Sequence, residues 1–219
     1  LSGVSPFEFI QLLRGSEQFL TDLAADRDFA NALLRKITDL MLASVTQLVT
    51  AAGDFIDVIV MGDDMGTQSS LIMSPRMYRT MIKPLDAELI AAVKKRSKAK
   101  IFWHTDGNVY PLIGDFIEIG VDLLNPIQVS AGEMGNTERL KREFGKNLAF
   151  SGAIDTNWVL PNGSPEDVRR EVRRRIKDLA PGGGYVLSSV HCIQPDVPVE
   201  NVEAMFDEAH RAGQYPITG

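Results

Sequence analysis

Lys100-Ile101-Phe102-Trp103-His104-Thr105-Asp106-Gly107 reads as a short strand that leaves its apolar run at Trp103 and meets a histidine, a hydroxyl, an aspartate and a turn glycine. The same grammar recurs along the chain. Phe55–Met61 is followed by Gly62-Asp63-Asp64, and Val121–Leu124 by Asn125-Pro126-Ile127-Gln128. Asn147–Phe150 is followed by Ser151-Gly152-Ala153-Ile154-Asp155, and Tyr185–Leu187, a little later, by His191-Cys192-Ile193-Gln194. Helical spacing fills the intervals. Apolar residues at three- and four-residue steps predict helices over 6–14, 16–25 and 27–52 ahead of the first strand. Ser74-Pro75 opens a helix towards Arg96, and Ser164-Pro165-Glu166-Asp167 caps one that runs to 179. Further helices are expected over 108–119, 136–144 and 198–212.

Strand-then-helix repetition predicts βα units and a parallel sheet. An open nucleotide-binding sheet would show a Gly-rich turn straight after a strand. Here Gly182-Gly183-Gly184 precedes its strand instead. Polar residues gathered after the strands are the pattern of a closed barrel, whose chemistry sits at the C-terminal ends. The expected fold is therefore α/β, a (β/α)8 TIM-type barrel of which about five C-terminal βα units, strands four to eight, are present. Residues 1–219 would form the larger, C-terminal part of one barrel domain, with the first three strands expected upstream. The missing initiator Met agrees with that expectation. No Pro/Gly/Ser-rich linker and no internal repeat divides the chain.

Composition narrows the class. The chain is 44% hydrophobic and 24% charged, with a formal net charge of −6, which argues against nucleic acid as the main partner. A single cysteine, Cys192, excludes an internal disulfide framework and fits a reducing compartment. No run approaches the roughly 18 apolar residues of a membrane helix, and LSGVSPFEF is not a signal peptide. The cytoplasm is the expected location.

His104 and Asp106 form an H-x-D pair at a strand end, able to bind a metal or to act as an acid/base with its orienting partner. His191 follows another strand, so barrel closure would bring it near them. The third histidine, His210, lies in the last helix and reads as surface or packing. Two His and one carboxylate would hold a divalent metal, zinc as the first guess, or make a metal-free acid/base group; spacing does not decide. Asp63 is a candidate base, with Asp64, Gln68, Asn125, Gln128 and Asp155 as candidate substrate-binding groups. Loop capping competes for Asp63, Asp64, Asn125, Gln128 and Asp155. The run Arg169, Arg170, Arg173, Arg174, Arg175 and Lys177 alternates with acids and reads as a solvated helix face. Cys192 reads as a reactive thiol or as a small buried filler.

Gly62-Asp63-Asp64-Met65-Gly66-Thr67-Gln68, Ser74-Pro75, Gly120-Val121-Asp122 to Asn125, Ser151–Asp155, and His191-Cys192-Ile193-Gln194-Pro195-Asp196-Val197-Pro198 with Glu200-Asn201-Val202 occur in this order. The set resembles the uroporphyrinogen decarboxylase superfamily over essentially the whole chain. Leu1–Gly15 looks like the stretch after that family's third strand. The resemblance implies one of two activities. Zinc-dependent methyltransferases of the superfamily move methyl groups between corrinoids and thiols such as coenzyme M, and carry H-x-C after strand five and a Cys after strand eight. The matching positions here hold His104, Asp106 and His191, so the histidine is kept and both thiolates are replaced. True uroporphyrinogen decarboxylases, enzymes of porphyrin biosynthesis, need no cofactor and have a histidine matching His191. A porphyrinogen polycarboxylate needs several cationic partners, and these strand ends carry no Arg or Lys. The methyltransferase-like reading is therefore preferred, with a divalent metal, a corrinoid protein as partner and a homodimer as the assembly. A barrel that only binds a ligand is the third alternative.

Overall fold

The computed structural model describes residues 5–217, so Leu1–Val4 of the Leu1–Gly15 comparison lie outside the described residues. It carries five parallel-pairing strands separated by helices. Two compact units are distinguished, each with its own core.

The first unit runs to Met65 and continues through Leu71–Thr105 and Pro111–Asp122. It opens with helices α1 (Pro6–Arg14), α2 (Ser16–Ala25) and α3 (Arg27–Ala52), and then strand β1 (Val58–Gly62). Ser74 caps α4 (Pro75–Met77) by accepting the Met77 N–H. That helix passes through a π-helical turn, Tyr78–Ile82, into α5 (Lys83–Lys94). Pro84 lies in the first turn of α5 and has no N–H to donate, which accounts for the change of helical register there. Strand β2 (Lys100–His104) pairs in parallel with β1, Val58 opposite Lys100 and Gly62 opposite His104. The 3-10 turn Tyr110–Leu112 leads into α6 (Ile113–Ile119). Trp103 and Tyr78 both pack on Phe116, each pair of ring centroids 5.9 Å apart, at the centre of this core.

The second unit comprises Gly66–Ser70, Asp106–Tyr110 and the chain from Leu123 onward. Strand β3 (Leu123–Ile127), helix α7 (Thr137–Phe144) and strand β4 (Ala149–Ile154) are followed by helices α8 (Val159–Asn162) and α9 (Pro165–Leu179). Strand β5 (Tyr185–Ser189) and helix α10 (Val199–Ala212) complete it. β4 is the middle strand, parallel to both β3 and β5. Ser164 and Asp167 form a reciprocal capping box at the start of α9. Val168, Val172 and Ile176, one turn apart, face Ala204 and Met205 of α10 in a core that includes Ile154 and Leu160.

Three expectations need correction. The strands extend through their polar ends: His104, Asn125 to Ile127 and Ser151 to Ile154 belong to β2, β3 and β4 rather than following them. Ladder hydrogen bonds come from the backbone, so a change of side-chain polarity does not end a strand. The helix expected over 108–119 starts only at the Tyr110–Leu112 turn. The Arg-rich face of α9 is not uniformly solvated. Arg175 is buried, paired with Glu171 at 2.7 Å and donating to Thr137 Oγ1.

Candidate metal and acid–base site

His104 ends β2 in the first unit. Alternation along the strand buries Ile101 and Trp103 on one face and leaves Phe102 and His104 half-buried on the other. The neighbouring backbone tolerates only glycine. A Cβ at Gly62, whose φ is 151°, would lie 1.9 Å from the His104 carbonyl oxygen.

Asp106 is held by its surroundings in the second unit. Its carbonyl accepts the Gly66 N–H at 3.1 Å, and the Asn108 N–H donates to the Thr67 carbonyl at 2.8 Å. Between them, Gly107 donates its N–H to the buried Gln128 side-chain oxygen at 2.6 Å. Thr67 and Gln68, Asp106 and Gly107, Gln128, Asn157, and His191 with Cys192 line a cleft of about 350 Å³ in this unit. His191 Nε2 is 4.0 Å from Asp106 Oδ2, with His191 about half exposed. That gap exceeds a direct hydrogen bond and suits one bridging atom.

Asp106 and His191, both in the second unit, each offer a ligand atom at the cleft, while His104 ends β2 in the first unit. Donors around a tetrahedral zinc stand about 3.3 Å apart, given bonds near 2.0–2.1 Å. Closing the 4.0 Å separation of Asp106 and His191 to that value requires side-chain adjustment of about 0.7 Å, within rotamer reach. An N,N,O donor set fits zinc, manganese or iron.

The remaining candidates fall elsewhere. Asp63 does not face an open cleft. Its side chain is fully buried and accepts the Glu8 N–H at 2.9 Å, supplying the cap that the Ser5 side chain does not give to α1. Burial, followed by the nearby Asp86 carboxylate, pushes the Asp63 carboxyl well above the ordinary range, against the backbone donors. Its expected role as a base acting on substrate is corrected to a buried helix cap. Asp64 is half-buried at the end of the same turn. Asp155 accepts the Asn157 N–H at 2.9 Å, closing a local turn, so the capping alternative describes it. Asn125 donates to Ser151 Oγ at 3.2 Å. Gln128 spends its oxygen on Gly107, and Gln68 stands exposed at the cleft. Cys192 is exposed rather than a buried filler. His210 is on the surface, with Nδ1 2.9 Å from the Phe206 carbonyl. Thr156 and Asn157 line the cleft and were not foreseen, while Thr67 and Gln194, which line it too, stood in the quoted motifs without a site role. Their positions in loops after strands were the signal available.

The repeated parallel βα units define an α/β fold of barrel type, and comparison with known proteins sets the family. The family model described as uroporphyrinogen decarboxylase (URO-D) matches residues 3–212, so the chain belongs to that family. The uroporphyrinogen decarboxylase of Coxiella burnetii (strain Dugway 5J108-111) is 26% identical over 203 residues, covering 89% of this chain and 51% of that protein. The one from Thioalkalivibrio sulfidiphilus is 35% identical over 78 residues, 36% of this chain and 22% of its own length. A solved methyltransferase from Methanosarcina mazei superposes with a TM-score of 0.74 at 20% identity, covering 98% of this chain and 60% of that one. This likeness shows the fold, which is α/β of the TIM-barrel type. The chain spans about half the length of the Coxiella burnetii relative. No helix among the described residues is long and apolar enough to cross a membrane.

Proposed function

We propose that this chain carries the metal-binding half of a methyltransferase-like enzyme of the uroporphyrinogen decarboxylase family. The observation that carries the reading is the facing pair of Asp106 Oδ2 and His191 Nε2, 4.0 Å apart at one cleft, with His104 at the end of β2 as the proposed third ligand. A divalent metal there, zinc first, would supply Lewis acidity to a methyl donor or acceptor such as a corrinoid or a thiol. The chain's own residues do the rest. Gly66 and Gln128 fix the Asp106 loop, and Thr67, Gln68 and Asn157 offer hydrogen bonds to a bound molecule. Among the described residues, no Lys or Arg lines this cleft, which disfavours a polycarboxylate ligand in it. A corrinoid-carrying protein, a homodimeric assembly and a cytoplasmic setting belong to this proposal.

The second reading is cofactor-independent uroporphyrinogen decarboxylation. It is favoured by the names of the sequence relatives and by a histidine at position 191. There His191 would manage the proton at a pyrrole carbon.

Metal analysis of the whole protein separates the two. Near-stoichiometric zinc, manganese or iron, lost in His104→Ala and His191→Ala, supports the methyltransferase reading. A metal-free protein that consumes uroporphyrinogen overturns it.

A further inference from the structure

We infer that Gln128 is a positioning residue that aims Asp106, rather than a group that binds substrate. The inference rests on the reading of Asp106 as a partner of His191 and adds what holds it in place. Gln128 follows β3 and is nearly withdrawn from solvent, at 7% exposure. Its side-chain oxygen accepts the Gly107 N–H at 2.6 Å, the shortest tie in the Asp106 loop. The loop needs such a tie. Gly107 is at φ 89°, a conformation with no ladder partner of its own, and an unanswered buried N–H there would cost about 1–3 kcal/mol. On the other side, the loop lies directly against the Gly66 backbone. A Cβ at Gly107 would be 2.3 Å from the Gly66 carbonyl carbon, so the peptide is pinned between Gly66 and Gln128. The Gln128 backbone is fixed in turn, since its carbonyl accepts the Ala131 N–H at 2.9 Å. Rotation of the Asp106–Gly107 peptide would swing the carboxylate away from His191 Nε2, now 4.0 Å distant. Outer groups that orient a metal's ligands commonly govern its affinity 10–100-fold.

The test uses the whole protein and zinc alone as the probe, with the zinc Kd read by competition with a chromophoric chelator. Gln128→Met keeps the volume and removes the acceptor; Gln128→Glu keeps an acceptor oxygen. We expect Gln128→Met to weaken zinc about 10–100-fold and Gln128→Glu to recover to within a few-fold of wild type. In an Asp106→Asn background Gln128→Met should add almost nothing, because its route of action is gone. Gln128→Asn, whose shorter side chain does not reach Gly107, replaces Gln128→Met if that variant does not fold. Unchanged zinc affinity in Gln128→Met, no recovery in Gln128→Glu, or an undiminished cost in the Asp106→Asn background overturns the inference. Wild-type protein that binds no zinc, manganese or iron defeats the metal reading separately. Amide exchange over Asp106–Asn108 then decides: faster exchange in Gln128→Met but not in Gln128→Glu supports positioning, and equal exchange refutes it.

Discussion

His191 Nε2 faces Asp106 Oδ2 across 4.0 Å, two groups from loops far apart in sequence that share one cleft. Groups that act as a unit lose their function together, so their effects should not multiply. Asp106→Asn and His191→Ala are each expected to lower kcat about 10²–10⁴-fold in the whole protein. The double variant should fall about as far as the worse single one. Methyl transfer from a methylcorrinoid to a thiol is the assay. Multiplying losses would mean that the two residues serve separate steps.

Asp63 and Asp86 are buried carboxyls in the first unit, and both are pushed well above the ordinary range, first by burial. Asp63 is raised further by Asp86, while the Glu8 and Phe7 backbone donors oppose; the Tyr78 hydroxyl opposes for Asp86. A carboxyl raised on folding contributes stability that is complete below its unfolded value and is lost as pH rises through the folded one. Wild type should therefore lose stability from about pH 4 upward, relative to Asp63→Asn, whose amide oxygen still accepts the Glu8 N–H. The variant should be more stable at pH 8 by roughly 1–3 kcal/mol, with little difference at pH 4. Urea titrations at the two pH values measure this. An equal effect at both would show that the pair does not titrate.

The alternation of strands and helices was legible because it depends on local spacing. His104, Asp106 and His191 stand out as candidates in the sequence because polar residues after apolar runs are conspicuous. Asp63 as a buried helix cap does not. The residue it caps, at the start of α1, is distant in sequence, and local patterning carries no sign of such a partner. Arg175 was misread for a similar reason. Its neighbours Arg174 and Lys177 are exposed, and the burying partner, Thr137, lies on α7. Gln128 reads in the sequence as a substrate-binding or capping group, but nothing local shows that its oxygen is already taken by Gly107.

Arg175 and Arg174 are adjacent on α9 and should respond very differently to truncation. Arg175 is 4% exposed and holds Glu171 and Thr137, so Arg175→Ala leaves a nearly buried carboxylate unpaired. A loss of about 3–5 kcal/mol is expected. Arg174 has a 61% exposed side chain and only a 3.9 Å approach to Asp178. Arg174→Ala should stay within about 0.5 kcal/mol of wild type. Replacing Arg175 and Glu171 together by Met and Leu should restore most of the loss, because no charge is then stranded. Chemical denaturation of the four proteins checks all three statements.

Gly107→Ala tests whether the site is built on backbone proximity. At φ 89° an L side chain is strained, and the added Cβ would sit 2.3 Å from the Gly66 carbonyl carbon, against backbone that cannot rotate away as a side chain would. The Gly66–Asp106 and Thr67–Asn108 hydrogen bonds must lengthen or break to admit it. The cost should exceed about 1 kcal/mol, the usual limit for a tolerated Gly-to-Ala change. Gly114→Ala is the control, since a Cβ there meets nothing within 4 Å and Gly114 lies inside α6. That control should hold or gain stability, by up to about 1 kcal/mol from helix propensity. Zinc affinity separates a local from a global effect. If the Gly66–Gly107 approach sets the place of Asp106, Gly107→Ala will weaken zinc while Gly114→Ala leaves it unchanged. A Gly107→Ala protein with wild-type melting and wild-type affinity would show that the loop accommodates a side chain and that the close approach is not what positions Asp106.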